Sequence, residues 1–278
     1  MIRLLILKLE IDAIIYTRKL LFILAKLVRT KSKVLKEYYN SNKNFSNINK
    51  EPSDRVVYTI LIGDYDKLIN LYSYNKNWHY ICFTDNKTLI ENGHSFWKII
   101  PFDIKNEDAT KMSRMPKILA HKFLPDYKYS LYIDANVNIL SGKIYKRIEQ
   151  LIKNDSKFAV TKHFLRKYIT EEIIACVASG KETPEKAIKL LAKYNKENFP
   201  DNLGLSENNV IFRQHNDKEV IRIMEDWWYM VNNYSKRDQL SLMYVFWQNK
   251  FKYEPLFCKP LRYCPFDFLI GLHKGETK

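Results

Sequence analysis

The sequence predicts an α/β fold: a mainly parallel central sheet flanked by helices and preceded by an N-terminal amphipathic helix. Three observations carry that expectation. From Arg55 onward, short apolar runs rich in Val, Ile, Tyr and Phe alternate with stretches of helical periodicity. Polar clusters follow several of the runs, at the strand ends where such a fold collects its ligands. The chain has 278 residues, 46% of them hydrophobic, enough for one large domain with an appendage. With 7 Gly, 9 Pro and 28% charged residues, it is neither collagen-like nor of low complexity.

The N-terminal helix comes first. Leu20, Leu21, Leu24, Leu27 and Val28 recur at helical spacing among Arg18, Lys19, Lys26 and Arg29. Charged residues interrupt every apolar run before it reaches the roughly 18–20 residues of a spanning helix, and no signal-peptide pattern is convincing. Two readings of residues 1–36 stay open: a basic helix lying on an anionic membrane surface, or a helix packed on its own domain or a partner chain. Of the formal net charge of +15, residues 1–50 carry 11 basic and 3 acidic residues. Asn40–Asp54 reads as a linker. The expected organisation is therefore an arm with linker over 1–50 and a folded domain over 51–278.

The strands expected next are Val56–Gly63, Trp78–Asp85, Trp97–Phe102, Tyr129–Asn136 and Lys157–His163. The helices are Lys111–Phe123, Ile144–Ile152, Glu171–Ser179, Pro184–Tyr194, Lys218–Asn233 and Arg237–Trp247, with Pro184 favourable in a first turn. The aromatic residues of the last two, Trp227, Trp228, Tyr229, Tyr244, Phe246 and Trp247, are assigned to packing. The four cysteines have no zinc spacing and read as reduced, mostly buried thiols of a cytosolic protein, with a Cys258–Cys264 bridge as the alternative.

Polar residues stand at the strand ends. Gly63-Asp64-Tyr65-Asp66 presents carboxylates and a phenol from a turn, or is simply a strand-ending turn. Asp85 is an acceptor suited to a ribose or base. Arg114 and Lys117, three apart, share a helix face, and that face either is solvated or meets phosphate. Asp134 ends an apolar strand, where a carboxylate can meet a divalent cation that neutralises a diphosphate. Glu207, Asn208 and Asn209 precede an apolar run and suit sugar hydroxyls, or form a turn before a strand. Asp238 opens a helix and can serve as its cap.

The ordered set GDYD, CFTD, an Arg and Lys before Phe-Leu-Pro, YIDAN, His-x-x-Arg with Glu171-Glu172 downstream, and RDQLSL resembles the TOD/MUCI-type glycosyltransferase-like domain over roughly Val56 to Trp247. That family is similar to nucleotide-sugar transferases of the GT-A fold. The resemblance implies a GT-A-like sheet and transfer of a sugar from a nucleotide-diphosphate donor to a glycan or lipid-linked acceptor in surface polysaccharide synthesis. It implies nucleotide-sugar contacts at Asp64, Tyr65, Asp66, Asp85, Arg114, Lys117, His163, Arg166, Glu207, Asn208 and Lys274. Asp134 and Asn136 match an Asp-x-Asp metal motif for Mn²⁺ or Mg²⁺, with His273 as a C-terminal ligand, and the amide of Asn136 weakens that motif. Phe164 replaces the proline of the family's His-Pro-x-Arg element. Asp134 and Asp238 are the expected catalytic residues, Asp238 facing the sugar. Retention is the stereochemical course carried forward, although the residues alone do not separate it from inversion.

Two other classes compete. One is a catalytically inactive sugar-binding or scaffold protein, suggested by Asn136. The other is a basic nucleic-acid-binding protein, suggested by a pI near 9.4. The dispersed cations and the absence of a nucleic-acid-binding signature argue against the second, and no nucleic-acid partner is expected. The expected location is cytoplasmic, peripheral to the inner face of the membrane.

Overall fold

The computed structural model describes residues 45, 48–63, 66–103 and 108–271, which lie in the larger of the two units into which the chain divides, Phe45–Lys278. The helix expected over residues 1–36, and Asp64, Tyr65, His273 and Lys274, lie outside the described residues.

Seven strands form one sheet in the order β3-β2-β1-β4-β7-β6-β8: β1 Arg55–Leu61, β2 His79–Thr84, β3 Lys98–Pro101, β4 Tyr129–Ile133, β6 Phe158–Lys162, β7 Ser206–Arg213 and β8 Glu254–Pro255. β1 pairs in parallel with β2 and β4, β2 with β3, and β6 with β8; only β7 runs against its neighbours β4 and β6. The mainly parallel α/β class is thus as expected. Burial explains why the strands were readable. In β1, Val56, Tyr58 and Ile60 face one apolar cluster while Val57 and Leu61 face another, so both faces of the sheet are covered and the strand reads as a continuous apolar run.

Several elements differ from expectation. The helix expected over Lys111–Phe123 breaks at Leu119, giving α2 Ala109–Ile118 and α3 Ala120–Phe123. A short helix α1, Lys87–Asn92, capped by the Asn86 side chain, was not anticipated. Nor was a two-stranded sheet of β5 Val137–Ile139 with β9 Phe268–Ile270, because runs of three residues carry almost no periodicity. The stretch expected over Arg237–Trp247 is a single 3₁₀ turn, Asp238–Leu240, followed by Leu242–Gln248. The remaining helices are α4 Lys143–Lys153, α5 Ile169–Ala178, α6 Pro184–Lys196 and α7 Lys218–Asn233, and Leu242–Gln248 is α8. Trp227, Tyr244 and Phe246 are core residues, whereas Tyr229 is exposed. Cys82 and Cys176 are buried, Cys264 half-buried and Cys258 exposed, all as free thiols. Among the described residues no helix is long and apolar enough to cross a membrane.

One buried cation joins the layers. Arg213, at the end of β7, donates from Nη1 to the Ile118 carbonyl at 3.1 Å and from Nη2 to the Lys117 carbonyl at 2.7 Å and to the Tyr58 hydroxyl. It thereby ties the C-terminus of α2 to β1 and β7. Replacing it with leucine strips these acceptors of their donor in a dry core, at an expected cost of about 3 kcal/mol or more. Urea denaturation of Arg213→Leu measures this, and a loss below about 1 kcal/mol would contradict the role.

Candidate active site

The strand directions gather the polar residues. Because β1, β2, β4 and β6 run one way and β7 the other, the C-terminal ends of the first four and the N-terminal end of β7 share one edge of the sheet. After β1, Gly63 takes φ +64°, a left-handed conformation that favours glycine, and its N–H donates to Asp85 Oδ1 at 2.8 Å. Asp85 therefore braces the turn that leads towards Asp66, which is half-buried.

Arg114 and Lys117 do share one face of α2, and that face is turned inward. Arg114 Nε lies 3.3 Å from Asp238 Oδ1, and Lys117 Nζ lies 2.9 Å from Asp238 Oδ2 and 3.5 Å from Asp134 Oδ1. Asp238 is only 3% exposed. Burial opposes its ionisation, but Lys117 and Arg114 outweigh that and hold its carboxyl well below the ordinary carboxylate range. Its carboxylate is thus the counter-ion of the two cations rather than a helix cap. Its backbone carbonyl accepts from Trp227 Nε1 at 3.0 Å, which fixes the turn.

Asp134 caps the end of β4. Its N–H donates to the Asn209 carbonyl at 2.8 Å, and Oδ1 accepts from the Tyr132 hydroxyl at 2.5 Å. Burial and the neighbouring Asp134 charge raise the Tyr132 phenol well above its usual range, so it stays a proton donor. The Asp134 side chain is 32% exposed, and its contacts with Tyr132 and Lys117 both fall on Oδ1. Asn136 makes a structural contact through its amide nitrogen. Its Nδ2 donates to the Gly271 carbonyl at 3.0 Å, and the Gly271 N–H donates to the Asn136 carbonyl at 2.8 Å. Asn136 thus clamps the C-terminal segment onto the motif, beside the β5–β9 pairing.

The polar stretch on β7 is a bulge within a strand, not a turn before one. β6 pairs Val160 with Ile211 and then Thr161 with Glu207, so the residues between are displaced from the ladder. Asn208 and Asn209 lie in the bulge with Glu207 at its edge, and Glu207 Oε2, Asn208 Nδ2 and Asn209 Oδ1 are buried without a hydrogen-bond partner. Glu207 is 4% exposed; burial pushes its carboxyl up to about 7, with Asp134 adding to the shift and Arg262 and the Leu261 backbone opposing it. Arg262 was missed in the sequence, where it sits in a mixed stretch without a motif. Its Nε lies 3.5 Å from Glu207 Oε1, and its guanidinium stands 4.7 Å over the Phe164 ring.

His163 and Arg166 form a neighbouring cluster. The His163 N–H donates to the Leu205 carbonyl at 2.8 Å, and Nδ1 accepts from the Arg166 N–H at 3.0 Å. The Arg166 guanidinium pairs with Glu172, which is buried, while Glu171 is exposed. Nε2 of His163 lies 3.8 Å from Glu172. These residues brace the loop that carries Phe164.

Among the described residues no group of three or more His, Cys, Asp or Glu is arranged to hold a metal ion. The partly exposed carboxylate of Asp134 fits a divalent cation held mainly by other oxygens and water, as Mg²⁺ commonly is.

A sheet edge carrying an open carboxylate, an ion-paired basic helix and a buried set of unsatisfied polar groups defines an α/β protein built to hold a polar ligand. Residues 37–265 match the family described as TOD1/MUCI70, glycosyltransferase-like domain, and the chain belongs to that family. A stretch of 160 residues is 24% identical to the protein named "Probable hexosyltransferase MUCI70" of Arabidopsis thaliana, covering 54% of this chain and 27% of the relative, so the chain spans about a quarter of that protein's length. Among solved structures, mouse xyloside xylosyltransferase 1 in its apo form is 10% identical, with a TM-score of 0.42 over 73% of this chain and 85% of that one. Core-mannan synthase A of Aspergillus fumigatus, in a Mn/GDP form, is 8% identical, with a TM-score of 0.43 over 74% and 73%. Both are loose likenesses of overall shape.

The Glu207 environment has a pH signature. Its folded pKa lies above that of the unfolded chain, so the folded state holds the proton longer and stability falls as pH rises from the ordinary carboxylate range through about 7. The charged groups acting on it are Arg262 and Asp134. Unfolding free energies from urea denaturation between about pH 5 and 8 are expected to decline in the parent by about 1–3 kcal/mol and to flatten in Glu207→Gln. Matching profiles for the two proteins would refute this environment.

Proposed function

We propose that this chain is a GT-A-type glycosyltransferase that moves a sugar from a nucleotide-diphosphate donor to a glycan or lipid-linked acceptor, in surface polysaccharide synthesis. Family membership supports glycosyl transfer. The observation that carries the reading is the buried, unsatisfied trio of Glu207 Oε2, Asn208 Nδ2 and Asn209 Oδ1 beside Asp134, because buried polar atoms without partners are costly unless a ligand supplies them. Sugar hydroxyls are both donors and acceptors and match that set.

Asp134 would hold a divalent cation, Mn²⁺ or Mg²⁺, which when bound supplies positive charge to the departing diphosphate. The chain itself orients the donor. Tyr132 and Lys117 fix the Asp134 carboxylate, Asp238 fixes Lys117 and Arg114, and the β7 bulge presents hydrogen-bonding groups to the sugar. Such positioning and electrostatic preorganisation supply most of the acceleration in transfers of this type. Retention is the proposed course, the leaving phosphate taking the acceptor proton; an inverted product would instead point to Glu207 as the base.

Turnover of labelled nucleotide sugars with Mn²⁺ tests the reading. Asp134→Ala is expected to lower kcat/KM by about 100-fold or more while the fold is retained. A parent chain that neither binds nor turns over any nucleotide sugar would leave only a different function.

The basic arm is proposed to rest on an anionic membrane, which places the enzyme at the inner face of the membrane near a lipid-linked acceptor. Deleting residues 1–36 is expected to abolish co-sedimentation with phosphatidylserine vesicles and to leave nucleotide affinity unchanged. Undiminished vesicle binding would assign the arm to packing.

A further inference from the structure

The cations near Asp134 are not equally available to a ligand. Arg114 and Lys117 are committed to Asp238, at 3.3 and 2.9 Å. Arg262 stands apart from them. Its side chain is 44% exposed, and the carboxylate it faces, Glu207, is a longer contact at 3.5 Å.

Its position is built. Leu261, buried, anchors the 3₁₀ turn Leu261–Tyr263 that presents Arg262. The same segment runs on into β9 and to Gly271 on Asn136, so the turn is held against the Asp134–Asn136 motif. Beneath the guanidinium lies Phe164, whose ring face supports and orients the cation. Glu207, which Arg262 faces, lies two residues before Asn209, whose carbonyl accepts the Asp134 N–H, so Arg262 and Asp134 approach the same edge of the sheet.

We propose that Arg262, seated on Phe164, is the diphosphate-binding cation of this site and exchanges Glu207 for phosphate oxygens when a nucleoside diphosphate enters. The planar guanidinium fork matches two oxygens at once, a geometry that lysine does not offer. This inference rests on the nucleotide-sugar reading above and names the residue that recognises its leaving group.

Calorimetric titration of the full chain with UDP and GDP, and with UMP and GMP as controls, all with Mn²⁺, tests it. Arg262→Gln is expected to weaken the preferred diphosphate about 10–100-fold and the matching monophosphate less than about threefold. Phe164→Leu is expected to weaken the diphosphate about three- to fivefold through the lost ring contact. Glu207→Gln, which removes the competing carboxylate, is expected to tighten it. Since Arg262 is half-exposed, its variant should melt within about 2 °C of the parent. Unchanged diphosphate affinity in Arg262→Gln, or equal loss for mono- and diphosphate, overturns the role while leaving the nucleotide reading standing. A parent that binds none of the four nucleotides overturns both.

Discussion

The fully buried guanidinium of Arg213 is the constraint on which the site's geometry depends. A cation without a carboxylate partner in an apolar core is costly to bury, and desolvation lowers its pKa for that reason. Its compensation is the C-terminal end of α2, where the Lys117 and Ile118 carbonyls carry the negative end of the helix dipole. Two residues on, His215 Nε2 meets the Leu124 carbonyl just past α3 at 2.8 Å, and burial lowers that imidazole to about 4, leaving it a neutral donor. The end of β7 thus holds the ends of both helices. Since α2 carries Arg114 and Lys117, and the other end of β7 carries Glu207 to Asn209, one strand sets the two halves of the site against each other.

The reversed direction of β7 follows the same logic. A parallel strand between β4 and β6 would present its C-terminal end beside Asp134, with Arg213 at the site and the Glu-Asn-Asn stretch at the far edge. Running the other way, β7 buries its cation under the helices and delivers its polar start to the ligand edge. The bulge opposite Thr161 then displaces Asn208 and Asn209 from the β6 ladder, next to the paired Glu207.

What was legible in the sequence divides along physical lines. The strands of the parallel half are buried on both faces, so they appear as apolar runs, and Asp134 was found because it terminates one of them. The shared face of Arg114 and Lys117 was readable from their spacing, but its partner was not, because Asp238 is distant in the chain and nothing local marks a buried carboxylate. Arg262 left no trace, since its significance lies in contacts with Phe164 and Glu207 across long separations. Helix breaks at Leu119 and Ser241 were missed because the apolar periodicity runs on through both.

Asn136 shows how a weakened motif can be a structural requirement. Read alone, an amide in place of a second carboxylate lowers affinity for a divalent cation. In the fold, its Nδ2 is a donor to the Gly271 carbonyl, a bond that an ionised aspartate cannot make; it would set negative charge against that oxygen instead. The amide therefore holds the segment that includes β9 and the Arg262 turn against Asp134. That bond uses the amide nitrogen and orders the stretch that includes the Arg262 turn. Phe164 fits the same account, because it gives the guanidinium of Arg262 a ring to rest on. The Asn136 clamp and the Phe164 ring thus both bear on one side chain, the Arg262 guanidinium.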